Sequence, residues 1–210
     1  MTLEKRTMFP GVSDSYDLAS VAARLARHGV RGDVATTDKQ AAVAAILRGR
    51  EGADAEILLI RRATHPSDPW SGHMAFPGGR RDASDASLLQ TAIRETREEV
   101  GLDLATHADV LARLPDIPAV ARGRRLGMTI GAYVFALRHE GEHLLAPNDK
   151  VAETVWTPLG PLARGEGAAV FPYNHEGVLL ELPSIDVGGR IVWGLTYQML
   201  HALFALLQRA

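Results

Sequence analysis

The stretch that most limits what this chain can fold into runs from Phe76 to Leu102, FPGGRRDASDASLLQTAIRETREEVGL. A Pro-Gly-Gly turn leads through a short polar loop into a segment that reads as one amphipathic helix. Leu89, Ala92, Ile93, Thr96 and Val100 share one helical stripe, so this helix is expected to lie against a sheet. Glu95, Glu98 and Glu99 are expected on the opposite side, gathered within about one turn. Like charges that close repel unless a cation lies among them, and three hard oxygen donors on a rigid helix suit Mg²⁺ or Mn²⁺. Arg94, four residues before Glu98, is placed to pair with that carboxylate and orient it. The competing reading is a solvated, salt-bridged surface helix, which R-E-x-x-E-E taken alone more often is. The upstream turn changes that balance, because glycine has no Cβ and lets backbone carbonyls and amides approach the acidic cluster.

The rest of the chain is consistent with one such site on one core. At 210 residues and 46% hydrophobic composition, the sequence can bury a single substantial core plus a small extension. A net charge of −2 and a pI near 6.4 provide no global field for collecting nucleic acid or an anionic membrane, so an anionic ligand must be held by local groups. The lack of cysteine excludes disulfides, thiolate metal sites and a thiol nucleophile. No long apolar leader or membrane-length apolar run is visible, and a cytoplasmic protein is expected.

Leu18, Val21, Ala22 and Leu25 predict an amphipathic N-terminal helix between Ser13 or Asp14, as cap, and Gly29, as stop. Strands are expected at 41–47, 56–62, 108–114 and 128–137, the last two separated by a Pro- and Arg-rich loop, with another short strand in VAETVWTPL. The last segment, LTYQMLHALFALLQ, places Leu200, Leu203, Phe204 and Leu207 on one face of a core helix. Strands and helices mix without regular βαβ alternation, which argues for a mixed sheet covered by helices.

The quoted stretch resembles the Nudix box, G-x5-E-x7-R-E-U-x-E-E-x-G-U. Arg94, Glu95, Glu98, Glu99, Gly101 and Leu102 match its second half, with Thr96 at the usual aliphatic position. The first half differs by one inserted residue, which leaves Asp82 or Asp85 as the nearest acidic substitute for the first glutamate. In this respect, and in Ser87, Thr91 and Ala92, the stretch is similar to the coenzyme A pyrophosphatase-like branch of the Nudix hydrolases. Similarity extends to LLIRRA, GHMAFPGG, VAETVWTPL and IVWGLT. It implies an α/β fold, an α/β/α sandwich around a mixed sheet with an added N-terminal helix. Residues 1–35 would form the helical extension and 36–210 the hydrolase domain. The implied reaction is Mg²⁺- or Mn²⁺-assisted hydrolysis of a nucleoside diphosphate linked to another moiety, here coenzyme A or an acyl-coenzyme A cut to 3′,5′-ADP and 4′-phosphopantetheine. ADP-ribose, a dinucleotide or a nucleoside triphosphate is the alternative substrate, because Asp68 stands where that branch's signature has a second arginine. A diphosphate would be repelled by carboxylates alone, so metal must bridge the two and activate water.

In this reading Glu95, Glu98 and Glu99 are metal ligands, with the Gly79 carbonyl completing the shell. Glu98 and Arg94 serve catalysis, and Glu153 is an outside candidate for ligand or general base, weighed against an edge-strand charge. Arg62, Arg122, Arg124 and Arg125 are phosphate-clamp candidates, although arginines in a surface loop are more often only solubilising. Trp70 is the expected stacking platform, and Trp193 is expected in the core beside the last helix. His65 is read as a surface residue and His73 as strand packing. The partner is a small molecule, with no nucleic acid or membrane. Two other readings compete: a noncatalytic Nudix-like binding module, which would be expected to have lost a ligand glutamate, and a decapping-type hydrolase, for which no basic stripe with interleaved aromatics is seen.

Overall fold

A computed structural model of the chain describes residues 15–30, 32–33, 39–66, 70–121, 124–139 and 145–208. In chain order the elements are α1 (Leu18–Ala26), β1 (Lys39–Arg48), β2 (Glu56–Arg62), β3 (Met74–Ala75), β4 (Gly78–Arg80), α2 (Leu88–Val100), α3 (Leu104–His107), β5 (Ala108–Arg113), β6 (Ile117–Ala121), β7 (Arg124–Leu137), β8 (Val151–Pro158), α4 (Leu159–Ala163), β9 (Ala168–His175), β10 (Val178–Asp186), β11 (Ile191–Trp193) and α5 (Gly194–Gln208).

The near-continuous apolar runs of β1, β2 and β7 suit strands covered on both faces. Side chains alternate across them, and the alternation divides the interior in two. Ala42, Ala44, Ile46, Leu58, Ile60, Tyr133 and Phe135 pack with Leu88, Ala92 and Val100 of α2. Ala45, Leu47, Ile57, Leu59 and Val134 pack with Val21 and Leu25 of α1 and with Leu200, Leu203, Phe204 and Leu207 of α5. The result is the expected sandwich of helices on either side of a mixed sheet. The spine of the sheet runs β3-β2-β1-β7-β5, with β4 added on β1, β6 on β7 and β8 on β2. Only β1 and β7 run parallel among these pairs, over Lys39–Leu47 and Met128–Ala136.

The N-terminal helix is present, but its cap is Asp17, which accepts from the Ser20 amide at 2.9 Å. Ser13 and Asp14 lie outside the described residues. The Pro- and Arg-rich segment after 114 is not a plain loop: β6 pairs antiparallel with the start of β7. A second, three-stranded antiparallel sheet, β11-β10-β9, was not expected from the sequence. Its strands expose Val170, Val178 and Leu179, so they carry no clean apolar period to read.

Candidate active site

Two glycines seat the acidic helix against the sheet. In β4, Gly78 pairs with Val43 and Gly79 with Ala42. Gly78 has φ 152°, and a Cβ there would lie 2.3 Å from the Ala42 carbonyl oxygen, so only glycine fits. Its N–H donates to Glu99 Oε2 at 2.9 Å. A Cβ on Gly79 would lie 2.5 Å from the Glu95 carboxylate, so the bare backbone is what allows that side chain to lie across the turn.

Helix α2 is held in register at both ends. Ser87 caps it, accepting from the Gln90 amide at 3.2 Å, and Gly101 closes it in the left-handed conformation at φ 74°. Asp33 supplies a second cap from a distant part of the chain. It accepts from the Leu88 amide at 2.8 Å and from the Tyr133 hydroxyl at 2.7 Å. The turn before β8 docks on the other end, where Asn148 donates to the carbonyls of Glu99, by its amide at 2.9 Å, and Glu98, by its side chain at 2.8 Å.

The Arg94 guanidinium organises the carboxylates. It grips Asp85 with two prongs, Nε to Oδ1 and Nη2 to Oδ2, both at 2.9 Å. Nη2 also donates to the Arg80 carbonyl at 3.0 Å, while Nη1 reaches Glu95 at 3.0 Å and Glu98 at 3.2 Å. Asp85 accepts further bonds from the Asp82 amide and the Thr91 hydroxyl, both at 2.9 Å. Arg94 holds the Asp85 carboxyl well below its usual range, and Asp85 in turn raises Arg94. Of the two acidic substitutes the sequence left open, Asp85 is the one that meets Arg94.

The three glutamates differ in environment, and one departs from expectation. Glu99 is not on the solvent side of the helix: it is 3% exposed, on the buried stripe seven residues after Ala92. Burial pushes its pKa up, against the Gly78 N–H and the Arg62 and Lys150 charges, which pull it down. The Glu98 side chain is about half exposed. Among the described residues no three His, Asp or Glu side chains already converge as a formed metal centre. The donor set nevertheless fits a divalent cation. Glu99 is desolvated and accepts the Gly78 amide, Glu95 lies across a glycine that leaves space, and Glu95 and Glu98 share a single nitrogen of Arg94.

Glu95 and Glu99 open into a cleft of about 1220 Å³, which Glu98, on the exposed side of the helix, does not line. Its charged lining includes Glu95, Glu99, Arg62 and Lys150, beside Gly78 to Arg80. Much of the remaining lining is aromatic and aliphatic, with Trp70, Phe171, Tyr173, Trp193, Leu182 and Met199. Arg62 is therefore brought to Glu99, and Trp70 lines the same cleft, half-buried against Ala41, Met128 and Ile130 rather than standing as an exposed platform. Trp193 is not in the core: it is half-buried, stacked on Phe171 at 4.2 Å, and forms part of the cleft wall. His73 also lines the cleft, 4.7 Å from the Trp193 ring, whereas His65 is exposed.

The structure does not bring the other candidates to this group. Arg124 and Arg125 are exposed at the start of β7, and Arg124 pairs with Glu176 at 3.6 Å on the surface. Arg122 and Asp68 lie outside the described residues. Glu153 faces a neighbouring cavity, where Arg61 and Arg190 both pair with it and the Arg190 bond holds its carboxyl below the ordinary range. Lys150 and Asp33 also support the site, and nothing in the local sequence marks either one. Only Asp85 left a trace in the sequence, as one of two acids near the displaced box position.

Comparison with known proteins first gives the class. The family model described as NUDIX domain matches residues 38–176, and the chain belongs to that family. As a Nudix hydrolase it is a pyrophosphohydrolase, and Nudix hydrolases generally use divalent metal ions. Among individual relatives, a Nudix hydrolase of Yersinia enterocolitica, NudL, is 45% identical over 147 residues, covering 70% of this chain and 71% of its own. A Schizosaccharomyces pombe protein is 39% identical over 108 residues; the match spans 50% of this chain and 32% of that longer one. A MutT/nudix family protein from Enterococcus faecalis superposes with a TM-score of 0.52 at 19% identity, over 88% of this chain and 67% of the other, and so shares its fold. No helix among the described residues is long and apolar enough to cross a membrane.

Proposed function

We propose that the protein cleaves the diphosphate of coenzyme A or an acyl-coenzyme A, releasing 3′,5′-ADP and 4′-phosphopantetheine, with Mg²⁺ or Mn²⁺ held by Glu95, Glu98, Glu99 and the Gly79 carbonyl. The observation that carries this reading is the mixed lining of the cleft, in which Glu95, Glu99, Arg62 and Lys150 of the box region share one cavity with a large apolar and aromatic surface. A diphosphate flanked by adenosine and a long, weakly polar arm offers both the charge and the apolar surface that such a lining takes. In this reading residues 36–210 are the hydrolase domain and 1–35 the extension.

The metal would polarise the diphosphate and raise the acidity of an attacking water. The protein's own groups do the rest. Arg62 and Lys150, in the cleft lining with Glu95 and Glu99, bind phosphate oxygens. Arg94 holds Glu95 and Glu98 in place and is itself fixed by Asp85. Glu98, the most solvent-accessible of the three glutamates, takes the proton of the water whose oxygen attacks phosphorus, as the anhydride P–O bond breaks and the second phosphate leaves. Trp70 and Trp193 flank the base or the pantetheine arm.

The test is a panel of coenzyme A, acetyl-coenzyme A, ADP-ribose, NADH and nucleoside triphosphates, with products identified by mass spectrometry. Coenzyme A or its ester is expected to have the highest kcat/KM, and the activity is expected to vanish on chelation and return with Mg²⁺ or Mn²⁺. A coenzyme A value well below that for ADP-ribose or NADH would overturn the substrate assignment, and full activity after exhaustive chelation would overturn the metal.

A further inference from the structure

Beside the main cleft lies a second cavity of about 500 Å³ that the chemistry above does not use. The two share His73, Met74, Phe171 and Trp193, so one ligand can extend from the box across the Phe171–Trp193 wall into the second cavity. Its charged groups come from three separate places in the chain. Arg61 and Glu153 are cross-strand partners on β2 and β8. Arg190 comes from the turn between β10 and β11, where the Val187 and Arg190 amides and carbonyls bond to each other at 2.9 and 3.2 Å. The two residues inside that turn, Gly188 and Gly189, have φ of 58° and 84°, the paired left-handed values of a tight hairpin turn, so Arg190 projects from a stiff support.

Each oxygen of Glu153 takes one guanidinium. Arg61 Nε lies 3.2 Å from Oε2, and Arg190 bonds Oε1 through Nε at 2.9 Å and through Nη2. Arg190 Nη1 is spent on the Gly188 carbonyl at 3.0 Å. Among the described residues, the two Nη groups of Arg61 bond nothing. Among the described lining residues, two guanidinium charges against one carboxylate leave a net +1, with forks already oriented. That suits a tetrahedral oxyanion with several acceptor oxygens, not a second cation. The adjoining wall is aromatic: Phe171 and Trp193 stack at 4.2 Å and 18°, with Tyr173 5.5 Å from Trp193. A purine fits such a surface.

We propose that Arg61 and Arg190, braced by Glu153, form a subsite for a phosphomonoester carried on the substrate's adenosine ribose, separate from the diphosphate that is cleaved. The inference rests on the coenzyme A reading and deepens it, because coenzyme A carries such a group at the 3′ position. NADPH carries the same group at 2′, so the two compounds distinguish the position.

The experiment compares kcat/KM for coenzyme A with dephospho-coenzyme A, and for NADPH with NADH, in the metal-loaded wild-type enzyme and in Arg61→Gln, Arg190→Gln and Arg190→Lys. In the wild type, coenzyme A is expected to exceed dephospho-coenzyme A by about tenfold or more, the scale of a charge-assisted hydrogen bond. In Arg61→Gln and Arg190→Gln that ratio should fall toward one, chiefly through KM, and Arg190→Lys should restore part of it. A ratio that stays the same while both substrates decline together would mean the triad only joins the small sheet to the large one, and would overturn the subsite. Equal wild-type use of coenzyme A and dephospho-coenzyme A would overturn it too, yet leave the proposed reaction standing. A preference for NADPH over NADH that responds to the same substitutions, with coenzyme A inert, would keep the subsite, place its ligand at the 2′ position, and overturn the coenzyme A reading instead.

Discussion

Replacing Asp85 by Asn tests whether Arg94 is held from behind. The wild-type carboxylate is almost fully buried and accepts four hydrogen bonds: two from Arg94, one from the Asp82 amide and one from the Thr91 hydroxyl. An asparagine with its oxygen at the Oδ2 position keeps three of them and turns its NH₂ toward Arg94 Nε, where two donors then face each other. Losing one charge-assisted bond costs about 1.5–3 kcal/mol. The Arg94 side chain is 29% exposed and water takes part of the contact, so the lower part of that range, roughly 2 kcal/mol, is expected. The catalytic effect follows from where Arg94 goes. Without Asp85 its remaining carboxylate partners are Glu95 and Glu98, so it competes more strongly for the groups that would hold the metal. Half-saturation by Mg²⁺ should rise, or kcat/KM fall, by about 10- to 100-fold, the usual scale for losing a partner of a metal ligand. Urea denaturation and a metal titration of activity measure the two effects. The folded Asp85 pKa is depressed, so its stabilisation is present above the ordinary aspartate pKa and is lost as pH falls through the folded value. The stability gap between the two proteins should therefore be full at neutral pH and close in acid. Unchanged metal dependence together with a stability loss under about 0.5 kcal/mol would refute the assigned role of Asp85.

Much of the fold was legible because its strongest signals are local. Leu200, Leu203, Phe204 and Leu207 repeat at helical spacing, and the apolar runs at 41–47 and 56–62 can hardly be anything but covered strands; each became a buried face of α5, β1 or β2. The 115–127 segment misled because Pro118 and three arginines resemble loop chemistry. Its structure comes instead from pairing with β7, itself anchored on β1, and such non-local pairing leaves no mark in local composition. The small sheet is hidden for a related reason: β9 half-buries alternate residues, but its outer positions, Val170 and Pro172, are as apolar as Phe171 and Tyr173 inside, so no alternation marks it in the sequence, and Trp193 reads as a core residue without the neighbours Phe171 and Tyr173 that form its wall. Within the site, Glu95, Glu98 and Arg94 fall together by spacing alone. Glu99 reads as a solvent-side residue from its charge, although it stands seven residues, two turns, after Ala92 and so on the buried stripe. The Gly78 amide that receives it is contributed by β4, not the helix. Asp85 and Asp33 required the fold itself, since Asp33 reaches α2 across 55 residues of chain.

Three further perturbations probe the supports of the site. Gly79→Ala should lower kcat/KM at least about tenfold, because its Cβ would lie 2.5 Å from the Glu95 carboxylate and displace it; normal activity with Glu95 unmoved would contradict the packing argument. Asp33→Ala should cost about 1–2 kcal/mol in urea denaturation through loss of the distant α2 cap, and a loss no greater than that of an exposed surface substitution would show that the bond from Leu88 is not a support. Glu99→Gln is the sharpest of the three, because it should move stability and activity in opposite directions. Burial raises the folded Glu99 pKa above its unfolded value, so the folded protein binds that proton more tightly. Stability then falls as pH rises between those two values, and in metal-free protein the ionised carboxylate is a net cost at neutral pH. Glutamine cannot ionise, yet its carbonyl can still accept from the Gly78 amide. Metal-free Glu99→Gln should therefore be more stable than the wild type at pH 8 and converge with it near pH 4. It should gain less stability from added Mg²⁺ and lose about a hundredfold or more in kcat, the scale for removing a group that acts on the transition state. Thermal melts at several pH values, with and without metal, would show this. A variant less stable than the wild type by the same amount at every pH would mean that Glu99 is a structural acceptor for the β4 turn and not a desolvated carboxylate that a cation completes.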